Sequence, residues 1–204
     1  MQREKQADGL PLFDRTPLES TLVAAVSGGM DSMVMLHLLV KRGFRPVVAH
    51  FDHAIREESA ADADFVRQAA GDFGLAFHLG RADVPAEAAR LKLGLEETAR
   101  QLRYAYLFSV CQSLRAGALL VAHTRDDQVE TVLMHLLRGA GLDGIRGMSE
   151  WTLDVFPGQP VPIYRPLLGW PRSKVEDYCA ANQVAYRQDA SNADRRYFRN
   201  RLRA

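Results

Sequence analysis

Several things are scarce in this sequence, and each scarcity excludes something. Only two cysteines occur, Cys111 and Cys179. They form no CxxC and sit in no Cys/His ligand spacing, so a structural zinc, an iron–sulfur cluster or a disulfide framework is excluded. Both are expected to be small buried hydrophobes in a reducing compartment. No window reaches the roughly 18 apolar residues of a membrane span. The N-terminus, Met1 to Asp8, is polar and lacks the apolar core of a signal peptide, so a cytoplasmic location is expected. Neither sign of charge dominates, with 26 basic against 25 acidic side chains, which argues against a uniformly basic nucleic-acid coat protein. Lysine is rare: four of the basic residues are Lys and 22 are Arg. Arginine suits bidentate contact with phosphate or carboxylate, although genomic base composition favours it too. The charge is unevenly spread, at about −3 over residues 1–150 and about +4 over 151–204.

The chain has 204 residues, of which 47% are hydrophobic, enough for one domain with a real core. Residues 1–19 read as a polar, partly mobile tail containing Pro11 and Pro17. Short apolar strands are expected at 20–27, 46–51, 75–79 and 118–122, and helices at 30–42, 57–73, 85–90, 95–114 and 126–137. This alternation predicts an α/β fold, a parallel doubly wound sheet with helices on both faces. From Gly139 onward Gly and Pro accumulate, so a loop-rich stretch with short edge strands is expected, one of them near 161–165. Helices are expected to resume at 172–182 and across 194–203. Residues 20–204 form the main domain, with 190–204 a basic helix or linker.

Four segments carry candidate chemistry. The sharpest is Ser27-Gly28-Gly29-Met30-Asp31-Ser32, between the first strand and the first helix. Two glycines let backbone N–H groups approach an anion, the helix N-terminus adds its positive end, and Ser27 and Ser32 offer hydroxyls. Asp31 beside phosphates makes sense if it holds Mg²⁺. The string is neither a GxxxxGK(S/T) loop nor GxGxxG. The plain alternative is an ordinary strand–helix turn with Asp31 as a helix cap. The second segment, His50 to Arg56, lies at the end of the second strand, where ligands bind in open α/β sheets. A satisfied polar residue at a sheet end is the simpler reading for His50 alone. In the third, Glu96 to Tyr104, Arg100 and Arg103 share a helical face, either as solvated ion pairs or as guanidinium groups aimed at phosphates. In the fourth, Ala122 to Thr131, His123 precedes Asp126, Asp127 and Glu130. These carboxylates suit helix capping, an ammonium-bearing substrate or Mg²⁺.

The SGGxDS string resembles that of the N-type ATP pyrophosphatases, or PP-loop enzymes, which cleave ATP to AMP and pyrophosphate while adenylating a substrate oxygen. Within that group the other segments resemble the tRNA(Ile)-lysidine synthetase family. They are His50-Phe51-Asp52-His53 with Arg56, where Asp52 replaces the more usual Asn; Glu97-Thr98-Ala99-Arg100 with Arg103-Tyr104; His123 with Asp126-Asp127-Gln128 and Glu130-Thr131; Arg165-Pro166-Leu167-Leu168; and Asp189, Ser191 and Asn192 with Arg199-Asn200-Arg201. The family often has a second His where Thr124 stands, and Thr124 is given no role. The resemblance implies a ligase that joins L-lysine to C2 of the wobble cytidine of a CAU-anticodon isoleucine tRNA, through an adenylated cytidine, with ATP and Mg²⁺. It implies that Ser27, Gly28, Gly29, Met30 and Ser32 hold phosphates and that Asp31 orients the metal. Arg100 and Arg103 would stabilise the leaving polyphosphate, Asp127 and Glu130 would bind lysine, and His53 and His123 would line the nucleotide pocket. Another PP-loop tRNA enzyme such as a thiolase, or a nucleotide-binding module without turnover, are the competing readings; homodimerisation stays open. Members of the family usually continue past the R-N-x-(I/L)-R string, so the 204 residues are expected to be the catalytic domain alone. Five Arg crowd the last ten residues, with Arg195, Arg199 and Arg203 on one expected helical face, read as a solvated linker or as the start of a tRNA-facing surface.

Overall fold

The computed structural model describes residues 20–55, 59–137, 139, 146–153 and 161–188. The expected tail, Arg56, the 194–203 helix and the Asp189-to-Arg201 motif lie outside the described residues. Elements follow the chain as β1 (Leu22–Ala25), α1 (Met30–Lys41), β2 (Val47–Asp52), α2 (Ser59–Asp72), β3 (Phe77–Arg81), α3 (Val84–Leu91), α4 (Leu95–Ser113), β4 (Ala118–Val121), α5 (Arg125–Leu137), β5 (Trp151–Thr152), β6 (Ile163–Tyr164) and α6 (Arg172–Ala181). The sheet order is β3-β2-β1-β4-β6-β5. All pairings are parallel except β5 on β6, which is antiparallel.

Alternation along the strands explains why both faces are covered. Leu22, Ala24 and Val26 of the first strand region, with Ala118 and Leu120 of β4, join α1, α2 and α6 in one core. Val23 of β1, with Leu119 and Val121 of β4, points the other way into a second core built on Tyr104, Leu107, Phe108 and Cys111 of α4. A strand buried on both sides has no polar face to show, which is why these strands read as unbroken apolar runs.

Five helices end with the same device. The N–H of Phe44 bonds to the carbonyl of Leu39 at 3.0 Å, Leu75 to Ala70 at 2.8 Å, Leu93 to Ala88 at 3.2 Å, Ala116 to Cys111 at 2.8 Å and Val184 to Cys179 at 3.0 Å. Each is the six-to-one bond of a Schellman motif. The preceding residue has positive φ in every case: Gly43, Gly74, Lys92, Arg115 and Gln183. The second of these moves β3 from the expected start: Leu75 closes the α2 cap, so the strand begins at Phe77 instead of 75.

β1 leads through α1 to β2 on one side, whereas β4 lies on its other side. The order in which the strands are laid down therefore reverses between parallel β1 and β4, and a crevice opens at the carboxyl ends of these two strands. The loops after β1 and β4, and the residues just after β2 and β6, all fall on that edge. α4 runs back toward the start of β4, which brings its first turns to the same edge.

Candidate active site

The loop after β1 is organised around glycine and serine. Gly28 has φ +91°, a conformation that favours glycine, and a Cβ there would press on Val66 Cγ2 at 3.2 Å. Gly29 is the N-cap of α1 and makes no side-chain cap hydrogen bond. The N-cap residue itself therefore does not cap the first turn of α1, and a helix N-terminus of this kind is suited to an anion. Ser32 Oγ accepts the Ser27 N–H at 3.2 Å and donates to the Gly29 carbonyl at 2.9 Å. A strap from the far end of the chain holds the loop: the Arg187 N–H donates to the Gly28 carbonyl at 2.9 Å, and its side chain pairs with Asp62 of α2.

Asp31, in the first turn of α1, is ion-paired with Arg172 of α6 at 3.1 Å. The backbone N–H of Arg172 donates to Asp126 of α5 at 2.8 Å, so the starts of α1, α5 and α6 are tied together. Among the described residues no group of three or more His, Cys, Asp or Glu could enclose a metal. Asp31, a carboxylate in the first turn of α1, could supply one of the one or two protein ligands that a phosphate-bound Mg²⁺ takes.

Beyond β2 the histidines divide. His50 is 4% exposed and its Nδ1 donates to the Val26 carbonyl at 2.8 Å. Burial lowers its pKa below the usual histidine value, and the Val26 bond opposes the shift. His50 is therefore a satisfied residue that joins β2 to the end of β1. Asp52 is buried too: it accepts the Ala54 N–H at 2.8 Å and pairs with Arg81 at 3.3 Å. His53 lies half-buried past the strand end, its ring 4.9 Å from that of Phe51.

Arg100 and Arg103 are both half-buried, and each guanidinium lies over the ring of buried Tyr104, at 5.0 and 5.2 Å. Arg100 is within electrostatic reach of Arg165, which stands just after β6. Arg165 is 4% exposed and its Nε donates to His123 Nδ1 at 3.1 Å. Residues from α4, β4 and β6 thus meet on one side of the crevice.

The carboxylates after β4 have separate tasks. Asp127 Oδ2 accepts the Thr124 N–H at 2.8 Å and its hydroxyl at 3.0 Å, a reciprocal cap on α5. Glu130 is 6% exposed, on the buried side of α5 with Met134. Gln128 accepts the Met148 N–H at 2.6 Å and donates to its carbonyl at 2.8 Å, pinning the 146–149 loop.

A model of the PP-loop domain family matches residues 4–204. The chain belongs to the PP-loop family. Within it, the chain is 43% identical to the tRNA(Ile)-lysidine synthase of Deinococcus deserti, covering 89% of this chain and 32% of that protein. It is 40% identical to that of Lactiplantibacillus plantarum, over 91% and 41%. The chain thus spans about a third to two-fifths of these relatives. In fold it is similar to the U34-tRNA thiolase NcsA of Methanococcus maripaludis, with a TM-score of 0.70 at 17% identity over 83% of this chain and 59% of that one. A similar likeness joins it to the NH3-dependent NAD synthetase of Campylobacter jejuni, with a TM-score of 0.54 at 16% identity over 81% and 66%. The doubly wound PP-loop architecture expected from the sequence is therefore the observed one.

Sequence reasoning did not single out Arg172, and quoted Gln128 and Arg165 in motifs without giving them a role. Arg172 sits in an ordinary-looking helix start, and only the fold brings it to Asp31. Gln128 could have been noticed as an uncharged residue inside an acidic turn. Thr124, given no role, is the cap partner of Asp127. Both cysteines are buried, and burial raises their thiol pKa values, that of Cys111 to about 12, so they behave as apolar residues. Among the described residues no helix is long and apolar enough to cross a membrane.

Proposed function

We propose that this chain is the ATP-using catalytic part of a tRNA(Ile)-lysidine synthase. In this reading ATP adenylates the C2 oxygen of the wobble cytidine in a CAU-anticodon isoleucine tRNA, releasing pyrophosphate. The amine of L-lysine then attacks C2 and AMP leaves, giving lysidine. The observation that carries the proposal is the identity of about two residues in five with lysidine synthases, maintained across nine-tenths of the chain.

The residues have assignable roles. Ser27, Gly28, Gly29, Met30 and Ser32 form the phosphate cradle at the N-terminus of α1. Asp31 would hold a Mg²⁺ that offsets phosphate charge when nucleotide is bound. It must then exchange or share its Arg172 partner, whose guanidinium can turn to a phosphate oxygen. Arg100 and Arg103 stabilise charge on the departing pyrophosphate from fixed positions, where donors cost little reorganisation. His53 and His123 line the nucleotide pocket. Asp127 and Glu130 bind the lysine ammonium, one of them accepting the proton that frees the amine.

The test supplies the protein with ATP, labelled lysine and the tRNA transcript. The expected result is lysine incorporation that depends on ATP and on a cytidine at the wobble position, with AMP and pyrophosphate released. Modification without lysine, or sulfur transfer from cysteine, would overturn the proposal. In the same assay Asp31→Ala is expected to abolish adenylation.

A further inference from the structure

Arg165 is a charged side chain in an unusual place. It is 4% exposed, between buried Tyr164 and buried Pro166, and no carboxylate among the described residues pairs with it. Three acceptors hold it instead. Its Nη1 donates to the Ser149 carbonyl and to Thr152 Oγ1, both at 2.7 Å, and its Nε donates to His123 Nδ1 at 3.1 Å. Its backbone is also fixed, the N–H donating to the Glu150 carbonyl at 2.9 Å. Burying an unneutralised guanidinium is costly, so a residue kept this way needs a compensating task. Burial lowers its pKa, and Arg100 adds to that while Tyr104 opposes it.

The chemistry of the Nε–Nδ1 contact is asymmetric. A guanidinium nitrogen can only donate, so Nδ1 of His123 must accept and carries no proton. The imidazole proton then lies on Nε2. We propose that Arg165 is a positioning residue that locks His123 as the neutral imidazole with its proton on Nε2, and so fixes the ring's orientation at the end of β4, where the nucleotide pocket is proposed. The nucleotide part of this statement rests on the function proposed above; the tautomer does not. The Ser149 and Thr152 contacts fix the guanidinium plane, so the donor direction at His123 is set by the β5–β6 pairing.

The experiment uses the whole chain labelled with ¹⁵N-histidine, with the His123 signals identified by their loss in His123→Gln. The wild type is expected to show an unprotonated Nδ1 and a protonated Nε2 at neutral pH. Arg165→Gln is expected to leave the two nitrogens averaged between tautomers. A proton on Nδ1 in the wild type, or a doubly protonated ring, would overturn the proposal whether or not any variant folds. Calorimetric titration with MgATP supplies the second arm. Arg165→Gln and His123→Gln are each expected to weaken binding about tenfold or more, the scale of one charge-assisted hydrogen bond. The double variant is expected to be no weaker than either alone, because both remove one contact. Additive losses would mean that Arg165 acts independently of His123, and would sink its role. A wild-type chain that binds no MgATP would count against the functional reading, while the tautomer would still be decided by the spectrum.

Discussion

Gly28 has two reasons to be glycine, and a single substitution tests them. Alanine there must hold φ near +91° and bring a Cβ to 3.2 Å from Val66 Cγ2. Gly28→Ala is expected to destabilise the fold by about 1–3 kcal/mol, the usual cost of a side chain in a left-handed conformation, as read by urea denaturation. Its MgATP affinity should fall more than stability alone explains, since the loop that shifts is the cradle. His50 gives a second test, because its lowered pKa is a stability statement. The folded state disfavours the imidazolium, so the contribution of His50 is fully present above the unfolded histidine value of about 6.5. It is lost as pH falls from there toward the lowered folded value. His37 is shifted down as well, by burial and then by Lys41, and adds to the same trend. Asp52 and Asp62 soften the His50 shift and Arg67 deepens it. The urea midpoint is therefore expected to drop between pH 7.5 and 5.5. His50→Asn, which keeps an N–H for the Val26 carbonyl, should flatten that drop without removing it. A midpoint that rises on acidification would contradict the assignment.

At the scale of elements, the start of α5 combines a structural duty with a proposed chemical one, and they can be separated. Asp127 accepts two hydrogen bonds from Thr124. Asp127→Asn keeps an acceptor oxygen for that cap and removes the charge. It is expected to unfold within about 0.5 kcal/mol of wild type, as Asn and Asp are comparable cap formers, while losing lysine-dependent product formation. Asp127→Ala should lose both, with about 1 kcal/mol of stability gone with the cap. If Asp127→Asn turned over lysine normally, the residue would be a cap and nothing more. The same helix shows what was legible beforehand. Apolar runs gave β1 to β4: β1, β2 and β4 are inner strands covered on both faces, which cannot hide their composition, while β3 forms the sheet edge, and Gly43 and Gly74 marked two helix ends. The ends of α4 and α6 fall within one residue of those expected, although Arg115 and Gln183 close them in the left-handed conformation without being glycine. β5 was not singled out: two residues carry too little pattern, and its pairing with β6 arises only from tertiary contact. The loop and strand-end motifs were legible as strings. What the strings omit is partnership across the fold, such as Arg172 with Asp31 or Arg165 with His123, whose members lie far apart in sequence.

For the molecule as a whole, the near-zero net charge hides a division. Residues 151–204 carry about +4, and five Arg fall in the last ten positions. On the proposed function, a tRNA substrate would make that gradient consequential, because phosphate contacts release counterions and their number sets the salt dependence of binding. The proposed ATP cradle after β1 lies in the part of the chain that is slightly acidic, with Arg165, Arg172 and Arg187 reaching the crevice from the basic part. Nucleotide affinity and tRNA affinity should therefore respond differently to salt and to mutation. MgATP binding is expected to change little on replacing Arg195, Arg199 and Arg203 together with Ala. Binding of the tRNA transcript, followed by fluorescence anisotropy across a KCl series, is expected to weaken steeply with salt in the wild type. The triple variant should have a log–log slope smaller by about 2, the value for three single-strand-like phosphate contacts. An unchanged slope would mean that these arginines are solvated and that the tRNA is held elsewhere. The +4 would then have to act through residues such as Arg172 and Arg187, which the fold has already committed to Asp31 and to the loop after β1.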